Sequence, residues 1–210
     1  MKKRIALALL LLYLFAPASR SQVKFGVMGG LNTSAYTFLG TTSDWKAGIH
    51  AGIFAQAPIH GGFGLEADLQ YSQKGGHMVE DSENIRYTLR LNYLTLPVLL
   101  TYHVSHAFYI QAGPEIGLLL AASDHYPGGS TDVKQYYRSF DKGIAFGAGY
   151  QFLMGLGFGV RYIAGFKPVS QAIYLTSNSG ASLGTIEGAG NNSTLQVSAY
   201  YTIPRRTMRL

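Results

Sequence analysis

From Phe63 to Tyr71 the sequence alternates without a break. Phe63, Leu65, Ala67, Leu69 and Tyr71 fall on one face, and Gly64, Glu66, Asp68 and Gln70 on the other. An extended strand, whose side chains point to opposite sides with period two, is the element that keeps such a pattern on one face. The same alternation sets Leu156, Phe158, Val160 and Tyr162 against Gly157, Gly159 and Arg161. It also sets Ile144, Phe146, Ala148 and Tyr150 against Gly143, Ala145, Gly147 and Gly149. Near the C-terminus Leu195, Val197, Ala199, Tyr201 and Ile203 oppose Gln196, Ser198, Tyr200 and Thr202. Residues 23–32, 45–57, 86–102 and 107–121 read as further strands, which makes eight strands and no helix.

The connections alternate as well. Residues 58–62, 103–106 and 153–155 are short turns, whereas 33–44, 75–85, 122–138 and 166–193 are long and rich in Gly, Ser, Asn and charge. That rhythm belongs to an up-and-down antiparallel barrel whose long loops leave from one rim, with both ends of the chain at the other. The glycines decide which face is outside. Gly48, Gly52, Gly113, Gly117, Gly143, Gly147, Gly149, Gly157 and Gly159 share parity with Glu66, Asp68, Gln70, Gln111, Glu115 and Arg161. A face of glycine and charge cannot line an apolar ligand cavity, but it fits the narrow bore of an eight-stranded barrel. The opposite face is Leu, Ile, Val, Ala and aromatics, as lipid contact requires. Gly29 breaks this parity, and the fourth strand is apolar on both faces. Phe63 and Tyr71 bracket roughly 20 Å of apolar height, and Tyr102, Phe152, Tyr162 and Tyr201 lie near outward strand ends, where amphipathic rings favour the interface.

Composition sharpens this reading. Lys2-Lys3-Arg4, an apolar run over 5–15 and small residues over 17–21 have the form of a signal peptide, expected over residues 1–21 with Gln22 as the mature start. The formal charge of +6 sits at the two ends. Residues 22–204 carry ten basic against eleven acidic side chains, which excludes a nucleic-acid footprint on the folded body. The absence of cysteine excludes a disulfide scaffold, a thiolate metal site and a cysteine nucleophile. The expected division is a leader over 1–21, a barrel over 22–204 and a short basic tail over 205–210 containing Arg205, Arg206 and Arg209.

The run Leu65-Glu66-Ala67-Asp68-Leu69-Gln70-Tyr71-Ser72-Gln73-Lys74-Gly75-Gly76 resembles the third strand of the PorT-like outer-membrane β-barrel domain of Bacteroidetes-type bacteria. Leu91-Asn92-Tyr93-Leu94-Thr95-Leu96-Pro97-Val98-Leu99-Leu100, Phe108-Tyr109-Ile110-Gln111-Ala112-Gly113-Pro114 and Gly147-Ala148-Gly149-Tyr150 continue the resemblance in order. It implies a fold and an outer-membrane location in a Gram-negative cell rather than a reaction. The ending departs from the family habit, since residues 204–210 replace a terminal aromatic.

Site chemistry is sparse. Glu66, Asp68 and Glu115 are expected to meet Arg161 in the lumen, with Gln70 and Gln111, as a structural polar network, because an unpaired buried charge is very costly. His103 and His106 form the one close histidine pair and offer two ligands where a transition metal wants three or four. Ser105 beside His106 has no acid near it in sequence. No catalytic residue, cofactor or metal is expected. The long segments are the expected functional surface, with Tyr126, Tyr136, Tyr137 and Arg138 as candidate contacts. The expected role is non-enzymatic anchoring or interaction through four surface loops, with outer-membrane lipid as surroundings and a protein partner at the loops or the basic tail. A small-solute or ion channel through the polar lumen is the alternative, and a secreted ligand-binding barrel is a third reading.

Overall fold

The computed structural model describes residues 23–38, 41–80, 85–166, 173–176, 182–186 and 191–204. The leader over 1–21 and the tail over 205–210 lie outside the described residues. Eight long strands make the wall: β1 (Lys24–Phe38), β3 (Lys46–Pro58), β4 (Phe63–Glu80), β5 (Ile85–His103), β6 (Phe108–Tyr126), β8 (Phe140–Gln151), β9 (Leu156–Gly165) and β12 (Asn191–Thr202). Each pairs antiparallel with its neighbour in sequence, and β12 pairs with β1, so the sheet closes. Short strands β2 (Thr41–Thr42) and β7 (Gly129–Asp132) pair with β1 and β6, and β10 (Ile173–Thr176) with β11 (Ser182–Ile186) forms a separate hairpin.

Register fixes the dimensions. From Pro58 the paired residues run Gly64, Thr101, Gln111, Gly147, Arg161, Gln196, Asn32 and back to β3 at Gly48, ten residues from the start. A stagger of ten over eight strands gives a tilt of about 40° and a backbone radius of about 8 Å. Such a bore is filled by its own side chains. Glycine supplies the left-handed backbone of the tight turns at Gly61, Gly62 and Gly155.

The lipid face follows the alternation. Leu31, Ile49, Ile53, Leu69, Leu96, Leu100, Ile110, Phe146, Phe158, Val160 and Val197 are all exposed on the outer wall. At the short-turn rim Phe63 packs on Tyr102 at 4.8 Å between ring centres, and Phe152 packs on Tyr150 at 5.1 Å and on Phe158 at 6.1 Å. The upper edge stands above Tyr71 and Tyr162. It is marked by Trp45, Phe140 and Phe166, all exposed, and Phe140 lies roughly 25 Å above Tyr150 on the same strand.

The long segments differ from the expectation. Residues 33–44, 75–85 and 122–138 read as loops, yet β1 runs on to Phe38, β4 to Glu80, β5 starts at Ile85, and β6 continues to Tyr126 before folding back as β7. Within 166–193, residues 173–176 and 182–186 are paired strands. The ladder is made by backbone amides and carbonyls, so it continues through Gly75-Gly76 and Ser123-Asp124 although their side chains carry no apolar period. Gly75 makes this possible with φ +133°, where a Cβ would meet the Leu89 carbonyl oxygen at 2.1 Å. The 122–138 segment also holds a single 3-10 turn, Lys134–Tyr136, where no helix was expected.

Candidate functional site

The lumen consists of stacked layers of side chains. Glu66, Asp68, Gln70, Gln111, Glu115 and Arg161 all point inward and are buried. Arg161 on β9 donates through Nη1 to Asp68 Oδ2 at 2.8 Å and through Nη2 to Glu66 Oε1 at 3.2 Å. Gln111 backs the pair: its amide nitrogen donates to Glu66 Oε1 at 3.2 Å, and its oxygen accepts from Arg161 Nη2 at 3.1 Å and Nε at 3.2 Å. Gln70 Nε2 donates to the same Asp68 oxygen at 2.8 Å. Because β4 and β9 stand four strands apart in the eight-membered ring, this arginine crosses the whole bore.

Glu115 is the correction. It lies in the lumen but pairs with Lys74, whose Nζ is 2.9 Å from Glu115 Oε1 and 3.6 Å from Asp141 Oδ2. Asn192 Nδ2 donates to that Asp141 oxygen at 3.2 Å, and the Lys74 ammonium stands 5.4 Å from the centre of the Tyr93 ring. Lys74 and Asp141 were missed because their stretches read as strand ends. Parity alone places Lys74 on the face of Glu66, Asp68 and Gln70, and Asp141 on the face of Gly143. Between the two triads, His50 Nε2 meets Ser198 Oγ at 2.8 Å, and Asn32 Nδ2 donates to Ser72 Oγ at 2.9 Å.

Apolar layers close both ends. Below the arginine, Phe54, Tyr109 and Tyr200 stack edge to face, with ring centres 5.8 Å and 6.3 Å apart. Each ring rests in a glycine notch. A Cβ on Gly26 would lie 2.2 Å from the Phe54 ring, on Gly149 2.3 Å from the Tyr109 hydroxyl, and on Gly157 2.2 Å from the Tyr200 ring. Above the lysine, Leu89, Leu91, Tyr93, Leu119, Ala122 and Val133 form a buried cluster. Leu89, Leu91 and Tyr93 are part of the inward face of β5, the strand that read as apolar on both faces. A cavity of about 20 Å³ beside Glu66, Arg161 and Tyr109 is the size of a water.

The surface candidates separate. Tyr126, Tyr136 and Arg138 are exposed, and Tyr126 shares a 2.9 Å hydrogen bond with Thr131. Tyr137 instead packs half-buried against the upper apolar cluster. Ser105 Oγ accepts from the amide of Phe108 at 3.0 Å and so closes the short turn after β5, and the His103 ring lies 5.7 Å from that of Tyr109.

The comparisons agree with this architecture. Neisserial surface protein A (NspA) matches at TM-score 0.57 and 11% identity, covering 87% of this chain and 99% of that one. The outer membrane protein OprG from Pseudomonas aeruginosa matches at TM-score 0.51 and 11% identity, covering 90% and 99%. At that identity the likeness shows the fold. No curated protein matches in sequence. The family described as outer membrane protein beta-barrel domain matches residues 15–171, about three quarters of the chain. With a closed eight-stranded wall, a lipid-facing exterior and a charged lumen in place, this chain belongs to the outer membrane protein beta-barrel domain family.

Proposed function

We propose that this outer-membrane barrel is a non-enzymatic surface interaction protein, anchored by the wall and acting through a sheet that stands clear of the membrane. The carrying observation is the unequal height of the strands. β4 and β5 stay paired up to Glu80 and Ile85, and β5 pairs with β6 up to His125, well above the end of β3 at Lys46. β7 extends this sheet and is fully exposed along Gly129–Asp132. The Val133 amide donates to the Ala122 carbonyl at 3.0 Å. By the antiparallel alternation, the amides of Ser130 and Asp132 therefore face away from β6. An outward row of backbone donors on an exposed strand accepts an extended segment of a partner. Two apolar layers and two ion triads filling the bore support anchoring over conduction. The leader over 1–21 acts here as a cleaved signal peptide, and the PorT-like resemblance supports the same passive barrel role.

A photo-crosslinking residue at position 131 in intact cells tests this. A protein adduct is expected there and not from lipid-facing position 69. The adduct is lost in Ser130→Pro, which removes an outward amide while leaving the β6 ladder intact. Adduct yield that is unchanged by Ser130→Pro, or equal at both positions, sinks the proposal.

A further inference from the structure

The cations of this protein are sorted. Among the Lys and Arg side chains described, Lys46, Lys74 and Arg161 point into the lumen, and Lys24 stands exposed at the short-turn rim. The other four, Arg90, Lys134, Arg138 and Lys142, are exposed and gather on one sector, where β5, β6 and β8 meet the upper membrane edge. Among the described residues β1, β3, β4, β9 and β12 turn no lysine or arginine toward lipid.

Register places the four around one stretch of β6. Lys142 pairs with Ile116, and Phe140 with Leu118. The Leu119 amide donates to the Ser139 carbonyl at 2.8 Å, which sets Ser139 opposite Leu119 and brings Arg138 to the level of Leu120. Lys134 Nζ donates to the Leu120 carbonyl at 2.8 Å, and Arg90 pairs with Ser123. From the level of Lys142 to the carbonyl that holds Lys134 is therefore about 13 Å of strand. Leu118, Leu120, Phe140 and Tyr136 are exposed between and beside these cations. The neighbouring acids are Asp132, whose Oδ1 accepts the Lys134 amide at 2.8 Å, and half-buried Asp124. Every salt bridge among the described residues lies in the lumen, so among them none of the four cations has an acidic partner.

Cations beside an apolar wall at the membrane edge extend to the interface and gain most from a fixed anion there. We infer that this sector binds the phosphate groups of outer-leaflet lipid, with Lys142 and Arg138 at the edge of the apolar band, Lys134 and Arg90 above them, and Leu118, Leu120 and Phe140 against the acyl chains. Lys134 has two ammonium hydrogens left after its bond to Leu120, and Arg138 offers a planar fork that suits phosphate. The sector is laid out for a headgroup that carries more than one phosphate.

The test reconstitutes the full chain in phosphatidylcholine vesicles containing either lipid A with both phosphates or the same lipid enzymatically dephosphorylated. Lipid retained by the purified protein is then measured by native mass spectrometry. The phosphorylated lipid is expected to be retained about tenfold more than the dephosphorylated form. The quadruple variant Arg90→Gln, Lys134→Gln, Arg138→Gln, Lys142→Gln should abolish that preference, while Lys24→Gln keeps it. Heat-modifiable gel migration reports whether the quadruple variant has folded. If it has not, Arg138→Gln alone, whose exposed side chain supports no described hydrogen bond, should lose about half of the preference or more. Equal retention of the two lipids, an unchanged preference in the folded variant, or an equal loss in Lys24→Gln overturns the inference. Displacement by millimolar inorganic phosphate also overturns it, because the site would then take free phosphate rather than a lipid headgroup.

Discussion

The two ion triads of the lumen have the same count, one cation against two carboxylates, but differ in plan. In the lower one both acids sit on β4, and a planar guanidinium reaches them from the opposite wall, with Gln70 and Gln111 saturating the acid oxygens that it shares. In the upper one a single ammonium from β4 serves Glu115 on β6 and Asp141 on β8, with a long second contact of 3.6 Å. The lower triad is a strut across the diameter, and the upper one is a clasp on one side under an apolar cap. The difference teaches that in a bore this narrow arginine spans, because its fork keeps two directed bonds at full reach, whereas lysine gathers acids that neighbouring strands already bring close.

The largest effect should come from breaking the strut. Arg161→Leu leaves Glu66 and Asp68 buried with no cation and is expected to cost about 3–5 kcal/mol, read as the urea midpoint of the heat-modifiable form. Adding Glu66→Gln and Asp68→Asn to that variant should restore at least half of the loss, since the harm lies in the stranded acids rather than in the missing arginine. Lys74→Met should cost less, about 2–3 kcal/mol, because methionine keeps the packing against Tyr93 under the apolar cap. A Lys74→Met loss that equals or exceeds that of Arg161→Leu would erase the distinction between strut and clasp. Smaller again are the glycines of β9. Gly157→Ala drives a methyl into the Tyr200 ring and should cost about 1–3 kcal/mol. Gly159→Ala, two residues on, meets nothing nearer than 3.7 Å and should change stability by less than about 0.5 kcal/mol.

The wall was legible in the sequence because period-two alternation is a property of single strands, and the glycine parity showed which face has no volume to spare. Closure into a barrel with charged residues inside followed from those two signals. The partners within the lumen were not legible. Glu66, Asp68 and Glu115 share a face with Arg161, but which acid it reaches depends on a stagger of ten, and that number exists only once the ring is closed. Lys74 was lost at a strand end because Gly75-Gly76 looks like a turn until its partner Leu89-Arg90 is known, and Asp141 lies just before the alternation that begins at Gly143. The cationic sector was invisible for the same reason: Arg90 and Lys142 are 52 positions apart in the chain and become neighbours only through β6.

The three rings at the base of the lumen, Phe54, Tyr109 and Tyr200, come from β3, β6 and β12. No hairpin contains two of them, and Tyr200 arrives on the last strand, whose seam with β1 closes the ring. Each ring settles on the glycine of the strand beside it, Phe54 on Gly26, Tyr109 on Gly149 and Tyr200 on Gly157, but both ring-to-ring contacts are made by Tyr200 and wait for the last strand. Closure of loops this long is entropically slow, and the packing that rewards it comes at once and late. The last strand is therefore the keystone of the base: an open sheet without it holds Phe54 and Tyr109 on their glycines but leaves them without the ring that joins them.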